Sequence, residues 1–500
     1  MTASRPAMNR NTTSASVQRS RRSEWLVASL ALVVTLTAVL LGLMMVGDRE
    51  RAVLAPLVTE IAVVLGFLLV LWHRDRQLPI FDVGAVCLLA TLAYAVFPLI
   101  GFCVSGFSFG LLSDSRLVTR DPSAEEVGAF AWRYVLHMIA LASAYLWIRR
   151  EGIAYRAPVC SPPRSMLYPL GMGVALLLAY FAALQAITGF SVSVPYEVRR
   201  GGEAVELESL PLLVQQITHN ANGILFVFKL AILVLLFQRY RSGLWRVALY
   251  GWLASEMLLT TVRLGSRGSM VLLLVAAVLL YHRMVHPLTL VRASVVGVLA
   301  LGLFLVMGFA RDYAADTPGY MSLLMASNEF QALFGTAYDV YMMRSVENVD
   351  IPWQLHLADF FRVIPQQILP FEKIDPWVWY LEQLGGQETK AGLMFGTISE
   401  GLIAWDWVSI AAQGILIGAM LAAAHRWYAP RCGSFLGTVA YLWLCVQTYY
   451  TFRGSSLYVL TWVVYRLLPA LFFLRVASTV IRVAADTPGK PRKSSLHGLS

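Results

Sequence analysis

The chain has 500 residues, of which 58% are hydrophobic and 14% are charged, and its formal net charge is +10. This composition excludes a soluble globular protein and is typical of polytopic membrane proteins. The long apolar runs also exclude a β-barrel, whose strands would give short alternating segments, so the predicted spans are helices. The excess of Lys and Arg is explained first by basic cytoplasmic loops and only secondarily by an anionic ligand.

The first segment, residues 1–23, is rich in Ser, Thr and Arg and is predicted to be a disordered tail. The apolar run after it is too long for the core of a signal peptide and has no small-x-small cleavage site, so we interpret it as the first span. About twelve apolar runs are long enough to cross a bilayer as helices. They are residues 25–46, 52–72, 83–103, 127–147, 166–188, 212–237, 244–261, 269–281, 288–310, 408–424, 434–449 and 457–474.

Basic residues in the short loops fall on one side of the membrane when both termini are placed in the cytoplasm. The sequence therefore predicts an all-α polytopic membrane protein with a large helical loop on the outer face. The predicted parts are a tail at 1–23, a bundle at 24–310, a cap loop at 311–398, further spans at 399–475 and a tail at 476–500.

The cap loop is predicted to be folded, because it is rich in aromatic residues such as Trp353, Phe360 and Trp379, which a solvated linker would lack. Apolar residues from Met321 to Tyr338 recur at helical spacing, and several prolines punctuate the remainder. We expect this loop to lie on the bundle and to direct charges at a ligand between the two.

Four groups of arginines fall on the predicted outer face, where the orientation rule does not require them. Guanidinium groups suit phosphate oxygens, and Gly-Ser turns that lead into helices add backbone N–H donors. The simpler explanation is that single arginines near span ends extend to lipid headgroups or pair with carboxylates. For Arg267, preceded by Ser266, and for Arg453, the flanking Gly and Ser favour a ligand site. The groups are Arg199 with Arg200, Arg263 with Arg267, Arg311, and Arg453.

Two carboxylates, Glu400 and Glu329, lie near the ends of the cap loop and are candidate general bases. Glu400 equally fits a helix-capping or arginine-pairing role. His356 lies in an amphipathic helical pattern, where a lone histidine is more often structural than catalytic. Glu60, in the middle of a span, must face the bundle interior or a partner, and we interpret it as structural.

Several classes of site have no signature in this sequence. The five cysteines include no CxxC pair, which argues against a disulfide framework or a zinc site. There is no HxH or HExxH motif and no phosphate-binding or dinucleotide fingerprint, so no metal, no cofactor and no nucleic-acid partner is predicted.

A set of short motifs follows in order along the chain: Pro79–Asp82, Tyr94–Pro98, Gly265–Gly268, Arg311, Asn328–Phe330, Ile364–Pro365, Leu369–Pro370 and Ser399–Gly401. Together they resemble the bacterial oligosaccharide repeat-unit polymerases, the O-antigen and capsule polymerases related to the O-antigen ligases. Where this family has an aromatic–Asn–Phe–Gly run, the chain has Ala404–Trp407. It also lacks the ligase-like histidine, which favours the polymerase.

The resemblance implies a metal-independent inverting glycosyltransferase of the bacterial inner membrane that makes O-antigen, capsule or exopolysaccharide. Its cap loop would be periplasmic. The donor and acceptor would be glycans on undecaprenyl pyrophosphate, with membrane lipids, a chain-length regulator and a flippase as candidate partners. Arg267, Arg311 and Arg453, with Arg263 and Arg200, would hold the pyrophosphate. Glu400 or His356 would deprotonate the acceptor hydroxyl.

Three alternatives stay open at the level of the sequence. A flippase for lipid-linked oligosaccharide would also use arginines, although the chain shows no matching halves of the kind found in many transporters. An O-antigen ligase would use the same donor. A membrane acyltransferase would need a buried histidine beside a carboxylate, and His137 is the one candidate.

Overall fold

The structure, a computed structural model, describes residues 47–75, 78–104, 123–149, 159, 164–188, 212–262, 267–297, 299, 328–345, 348–362, 364, 368–383, 395–455 and 457–486. Helices and their connecting turns account for this part of the chain, and no β-strand occurs within it. The predicted all-α class is therefore confirmed. In lipid, a helix satisfies its own backbone hydrogen bonds, which is why apolar runs of this length fold in this way.

We number the helices in chain order. They are α1 Asp48–Asp75, α2 Val83–Val104, α3 Ala124–Ile148, α4 Arg164–Thr188, α5 Leu212–Gln238, α6 Gly243–Val262, α7 Arg267–Leu280, α8 Asn328–Ser345, α9 Trp353–His356, α10 Ala358–Arg362, α11 Pro376–Gln383, α12 Thr397–Ala404, α13 Trp407–Tyr428, α14 Phe435–Gln447, α15 Tyr450–Arg453, α16 Tyr458–Trp462 and α17 Leu468–Asp486. Two π-helical segments, Tyr281–Val285 and Val463–Leu467, continue α7 and join α16 to α17.

Seven helical segments in the described chain are long and apolar enough to cross a membrane, as expected of a multi-pass membrane protein. They are Glu50–Asp75, Val83–Cys103, Ala124–Ile148, Ser165–Leu184, Asn220–Gln238, Trp407–Arg431 and Tyr458–Val483. Two shorter apolar helices are Val271–Val285 and Phe435–Gln447. The predicted first span at 25–46 lies outside the described residues, and the one at 288–310 is described only in part. The count of about twelve stays a prediction.

Helix α3 is the centre of the fold, because α1, α2, α8 and α13 all pack against it. Its contact with α13 is close: a Cβ added at Gly418 would lie 2.4 Å from the Leu141 carbonyl oxygen. The small residue lets the two backbones touch, as in close helix pairs of other membrane proteins.

Helices α1, α3 and α13 run in the same direction. At one end, which we name the Arg453 end, Arg133 of α3 pairs with Asp406 just before α13. At the other, the Asp82 end, Arg149 follows α3 and contacts both Asp75 of α1 and His425 of α13. These contacts fix the register of the three helices.

The described part of the predicted cap loop is partly embedded in the bundle. Residues Leu333–Val340 of α8 are all buried, with α2, α3 and α12 around them. The Tyr380 hydroxyl of α11 donates a 2.8 Å hydrogen bond to Asp339 of α8. Burial, followed by the Asp339 charge, raises the pKa of Tyr380. The phenol therefore stays protonated and ties α11 to α8.

Candidate functional site

Arg453 ends a one-turn helix, α15, that links α14 to the last membrane-length segment. Its guanidinium donates to the Tyr449 hydroxyl at 3.4 Å and lies 5.6 Å from the ring centre of Tyr450. The side chain of Arg453 is half-buried, so the aromatic pair supports a cation at the edge of the bundle.

The backbone around Arg453 is fixed by the start of α12. The Thr397 hydroxyl bonds to the Thr451 carbonyl at 2.5 Å and to the Gly454 carbonyl at 3.0 Å, so it joins the two sides of the turn. A Cβ on Gly396 would lie 2.8 Å from the Phe452 carbonyl oxygen, which means that the contact requires glycine. The Gly396–Thr397 pair therefore holds the Arg453 turn in place.

Glu400 is in the first turn of α12, three residues after Thr397, and is 6% exposed. Three residues of α-helix rise about 4.5 Å, so Glu400 lies close to the level of the Arg453 turn. A carboxylate in the first turn also complements the positive end of the helix dipole. The structure thus brings the segments that carry two of the residues predicted from sequence into contact, although they are far apart in the chain.

Aromatic rings form the inner wall beside this turn. Phe452 is 1% exposed, and its ring centre lies 5.8 Å from Tyr94, 5.6 Å from Tyr134 and 5.8 Å from His137. Phe330 packs on Tyr94 at 4.7 Å, which places the start of α8, and with it the backbone of Glu329, at the same end of the bundle.

His356 lies at the opposite end of α12. Its Nδ1 donates a 2.8 Å hydrogen bond to the Ala404 carbonyl, and its ring stacks on Trp405 with centres 5.8 Å apart. Arg344 binds the same carbonyl at 2.9 Å and caps the helix. An eight-residue helix is about 12 Å long, so α12 separates His356 from the Arg453 turn.

A partly buried ion pair follows α12. Arg133 donates to both carboxylate oxygens of Asp406, at 2.7 and 2.6 Å, and its guanidinium lies between the rings of Tyr341 and Trp407. Asp406 has a φ of +52°, which is uncommon for a residue with a side chain. The pair explains why aspartate stands in the Ala404–Trp407 segment: it fixes the sharp break between α12 and α13.

Sequence reasoning missed Arg466, which lies within the π-helical segment of the last span. Its Nε donates to the Asn220 side chain at 3.4 Å, and its guanidinium carbon lies 4.1 Å from the ring centre of Trp462. Trp462 in turn packs on Tyr450 at 4.4 Å, beside Arg453. An arginine inside an apolar span was the signal that could have identified it.

The remaining predicted residues are described in part or not at all. Arg267 is the first residue of α7, whose other end contacts Cys432 through Arg283, so α7 begins towards the Arg453 end. Arg200, Arg263, Ser266 and Arg311 lie outside the described residues. In the residues that are described, no group of three or more His, Cys, Asp or Glu side chains could hold a metal ion.

A second polar cluster lies at the Asp82 end and is almost completely buried. Arg149 contacts Asp75 at 2.5 Å and Asp82 at 3.3 Å, and its Nε donates to His425 Nε2 at 3.0 Å. Since arginine can only donate, His425 Nε2 is the acceptor and the ring is neutral. The cluster joins α1, α3 and α13 and contains motif residue Asp82, which gives it a structural role.

Comparison with known proteins adds no family. No protein-family model matches the chain, and no match is found among curated proteins or solved structures.

Proposed function

We propose that this chain is an inverting membrane glycosyltransferase that polymerises oligosaccharide repeat units carried on undecaprenyl pyrophosphate. The observation that supports it most is the Thr397 contact, which fixes the backbone on both sides of Arg453. It holds the turn that carries the Arg453 guanidinium against the first turn of α12, which carries Glu400, in a bundle of membrane-length helices. The proposed transfer needs a cation that binds the phosphate groups and, beside it, a carboxylate that accepts the proton.

In the proposed step, a hydroxyl oxygen of the acceptor glycan forms a bond to the anomeric carbon of the donor glycan. The bond from that carbon to the diphosphate oxygen breaks, and the configuration at the carbon inverts. The hydroxyl proton passes to a protein base. Arg453, with Arg267, Arg311, Arg263 and Arg200 as further candidates, would stabilise the charge that develops on the leaving diphosphate.

We assign the base to Glu400 rather than to His356. Glu400 lies one helical turn from Thr397 and hence from the Arg453 turn, whereas His356 contacts the far end of α12. A general base must reach the proton that it removes, so position decides between them. Glu329, at the start of α8, stays a second candidate because its backbone lies at the same end of the bundle.

The test is polymer formation by Arg453→Ala and Arg267→Ala variants in a deletion strain. Each variant is expected to reach wild-type protein levels and to leave single repeat units on the surface glycan. Arg426→Ala is the matched control, because Arg426 is exposed and lies near the Asp82 end of α13. Full-length polymer from both variants would contradict the leaving-group role.

The deletion strain also distinguishes the proposed polymerase from its alternatives. On a gel of surface polysaccharide, loss of a polymerase collapses the ladder to one repeat unit. Loss of a ligase removes the glycan from its final acceptor altogether. Loss of a flippase leaves lipid-linked repeat units on the inner leaflet.

A further inference from the structure

Glu60 is a buried acidic residue that the proposed reaction does not use. It lies near the middle of the membrane-length segment Glu50–Asp75 and is 0% exposed. Both of its carboxyl oxygens are buried, and neither has a hydrogen-bond partner among the described residues. Ionised carboxylates at such depth are paired in almost all membrane proteins, so an unpaired one indicates a functional site.

Two further polar groups with the same property lie on the neighbouring helix α3. The Tyr134 hydroxyl is buried without a hydrogen-bond partner in the described chain. Helix α3 packs closely on α1, since a Cβ on Gly128 would lie 2.2 Å from the Ala52 carbonyl oxygen, and along these two parallel helices Tyr134 comes near the level of Glu60. One turn later, His137 Nδ1 faces the Ile410 carbonyl at 3.4 Å, so this nitrogen carries the proton. His137 Nε2 is therefore a buried acceptor, also without a partner there.

The charged groups on the surrounding helices are directed elsewhere. Arg133, next to Tyr134, pairs with Asp406. Arg149 pairs with Asp75 and Asp82 at the other end of α3. Helix α2 contributes no charged side chain. No described cation thus compensates a negative charge at Glu60, and an ionised carboxylate there would be far costlier than the neutral acid.

We propose that Glu60 is an internal proton-binding site, with Tyr134 and His137 as the groups through which the proton exchanges. The neutral Glu60 carboxyl group is a hydrogen-bond donor, and the Tyr134 phenol can donate or accept. The neutral His137 imidazole supplies an acceptor. Tyr134 and His137 lie beside the Arg453 turn, because both pack on Phe452. This inference goes beyond the proposed function and does not depend on it.

The first test detects the proton directly, by infrared spectroscopy of the purified full-length chain in lipid nanodiscs near neutral pH. The wild type is expected to show the carbonyl band of a protonated carboxyl group, and Glu60→Gln is expected to lose it. Glu125→Gln, an exposed carboxyl at the start of α3, is the matched control and should keep the band. A band that Glu60→Gln leaves unchanged would overturn the proposal.

The second test uses the pH dependence of stability. Above about pH 4.3, a glutamate in the unfolded chain releases its proton, whereas Glu60 in the folded chain keeps it, so folding takes up one proton. As the pH rises above this value, the wild type should therefore lose stability relative to Glu60→Gln. Its equilibrium constant for unfolding should increase by up to about tenfold per pH unit. Parallel pH profiles for the two proteins would contradict a proton held at Glu60.

A third variant distinguishes loss of the proton-binding site from a failure to fold. Glu60→Met is neutral and similar in length, so it should fold as well as Glu60→Gln if the native residue is neutral. Failure of both neutral variants, with normal folding of Glu60→Asp, would mean that the position needs a negative charge. That outcome would overturn the proposal.

Discussion

Replacing Arg149 with methionine tests the buried cluster at the Asp82 end. The side chains of Arg149, Asp75 and Asp82 are at most 1% exposed, and both carboxylates contact the guanidinium. Methionine keeps much of the volume but removes the only positive charge that the described structure places between these carboxylates. His425 Nε2 also loses the donor that fixes its tautomer.

The expected loss in the free energy of unfolding is about 3–5 kcal/mol, the range observed when one member of a buried ion pair is removed. Most of this loss comes from the partners that stay behind, because a buried carboxylate without a cation is costly. The triple variant Arg149→Met, Asp75→Asn, Asp82→Asn should therefore be more stable than Arg149→Met alone.

The measurement is unfolding of the purified protein in mixed detergent micelles, followed by circular dichroism. Arg51→Ala is the control, since Arg51 pairs with Asp48 at 3.3 Å where the two side chains are 47% and 95% exposed. A pair so exposed contributes little to stability. If Arg149→Met lowered the free energy of unfolding no more than Arg51→Ala does, the cluster would not hold α1, α3 and α13 together.

Two further predictions concern packing and pH. Gly418→Ala should lower the free energy of unfolding by about 1–3 kcal/mol, because the new Cβ would lie 2.4 Å from the Leu141 carbonyl and would force α13 away from α3. Gly66→Ala, where a Cβ meets nothing within 4 Å, is the control, and equal melting temperatures for the two variants would refute the close contact. Tyr380→Phe removes the hydrogen bond to Asp339 and should cost about 1–3 kcal/mol. Because burial and Asp339 raise the pKa of Tyr380, its contribution is complete below about pH 10 and is lost as the pH rises towards the raised value. The difference in stability between wild type and Tyr380→Phe should thus narrow in alkali, and a constant difference would contradict this.

Much of the secondary structure could be predicted from sequence, because hydropathy acts locally. The run at 83–103, for example, coincides with the membrane-length segment Val83–Cys103. Helical spacing up to Tyr338 likewise predicted a helix, which begins at Asn328. The burial of Leu333–Val340 among α2, α3 and α12 could not be predicted, since it depends on contacts between distant segments.

The candidate site shows the same division. Sequence identified Arg453 and Glu400 by residue type and flanking glycines, but it gave no role to Thr397, which binds a carbonyl 54 residues away in the chain. It also left Arg133 and Asp406 unconnected, although they form an ion pair across 273 residues.

The sequence by itself determined that this is a helical, multi-pass membrane protein, because twenty consecutive apolar residues need lipid or protein around them and must bond their own backbone. Only the tertiary structure decided which polar side chains meet. The register between helices such as α1, α3 and α13 determines which buried charges pair. No local sequence pattern encodes that register.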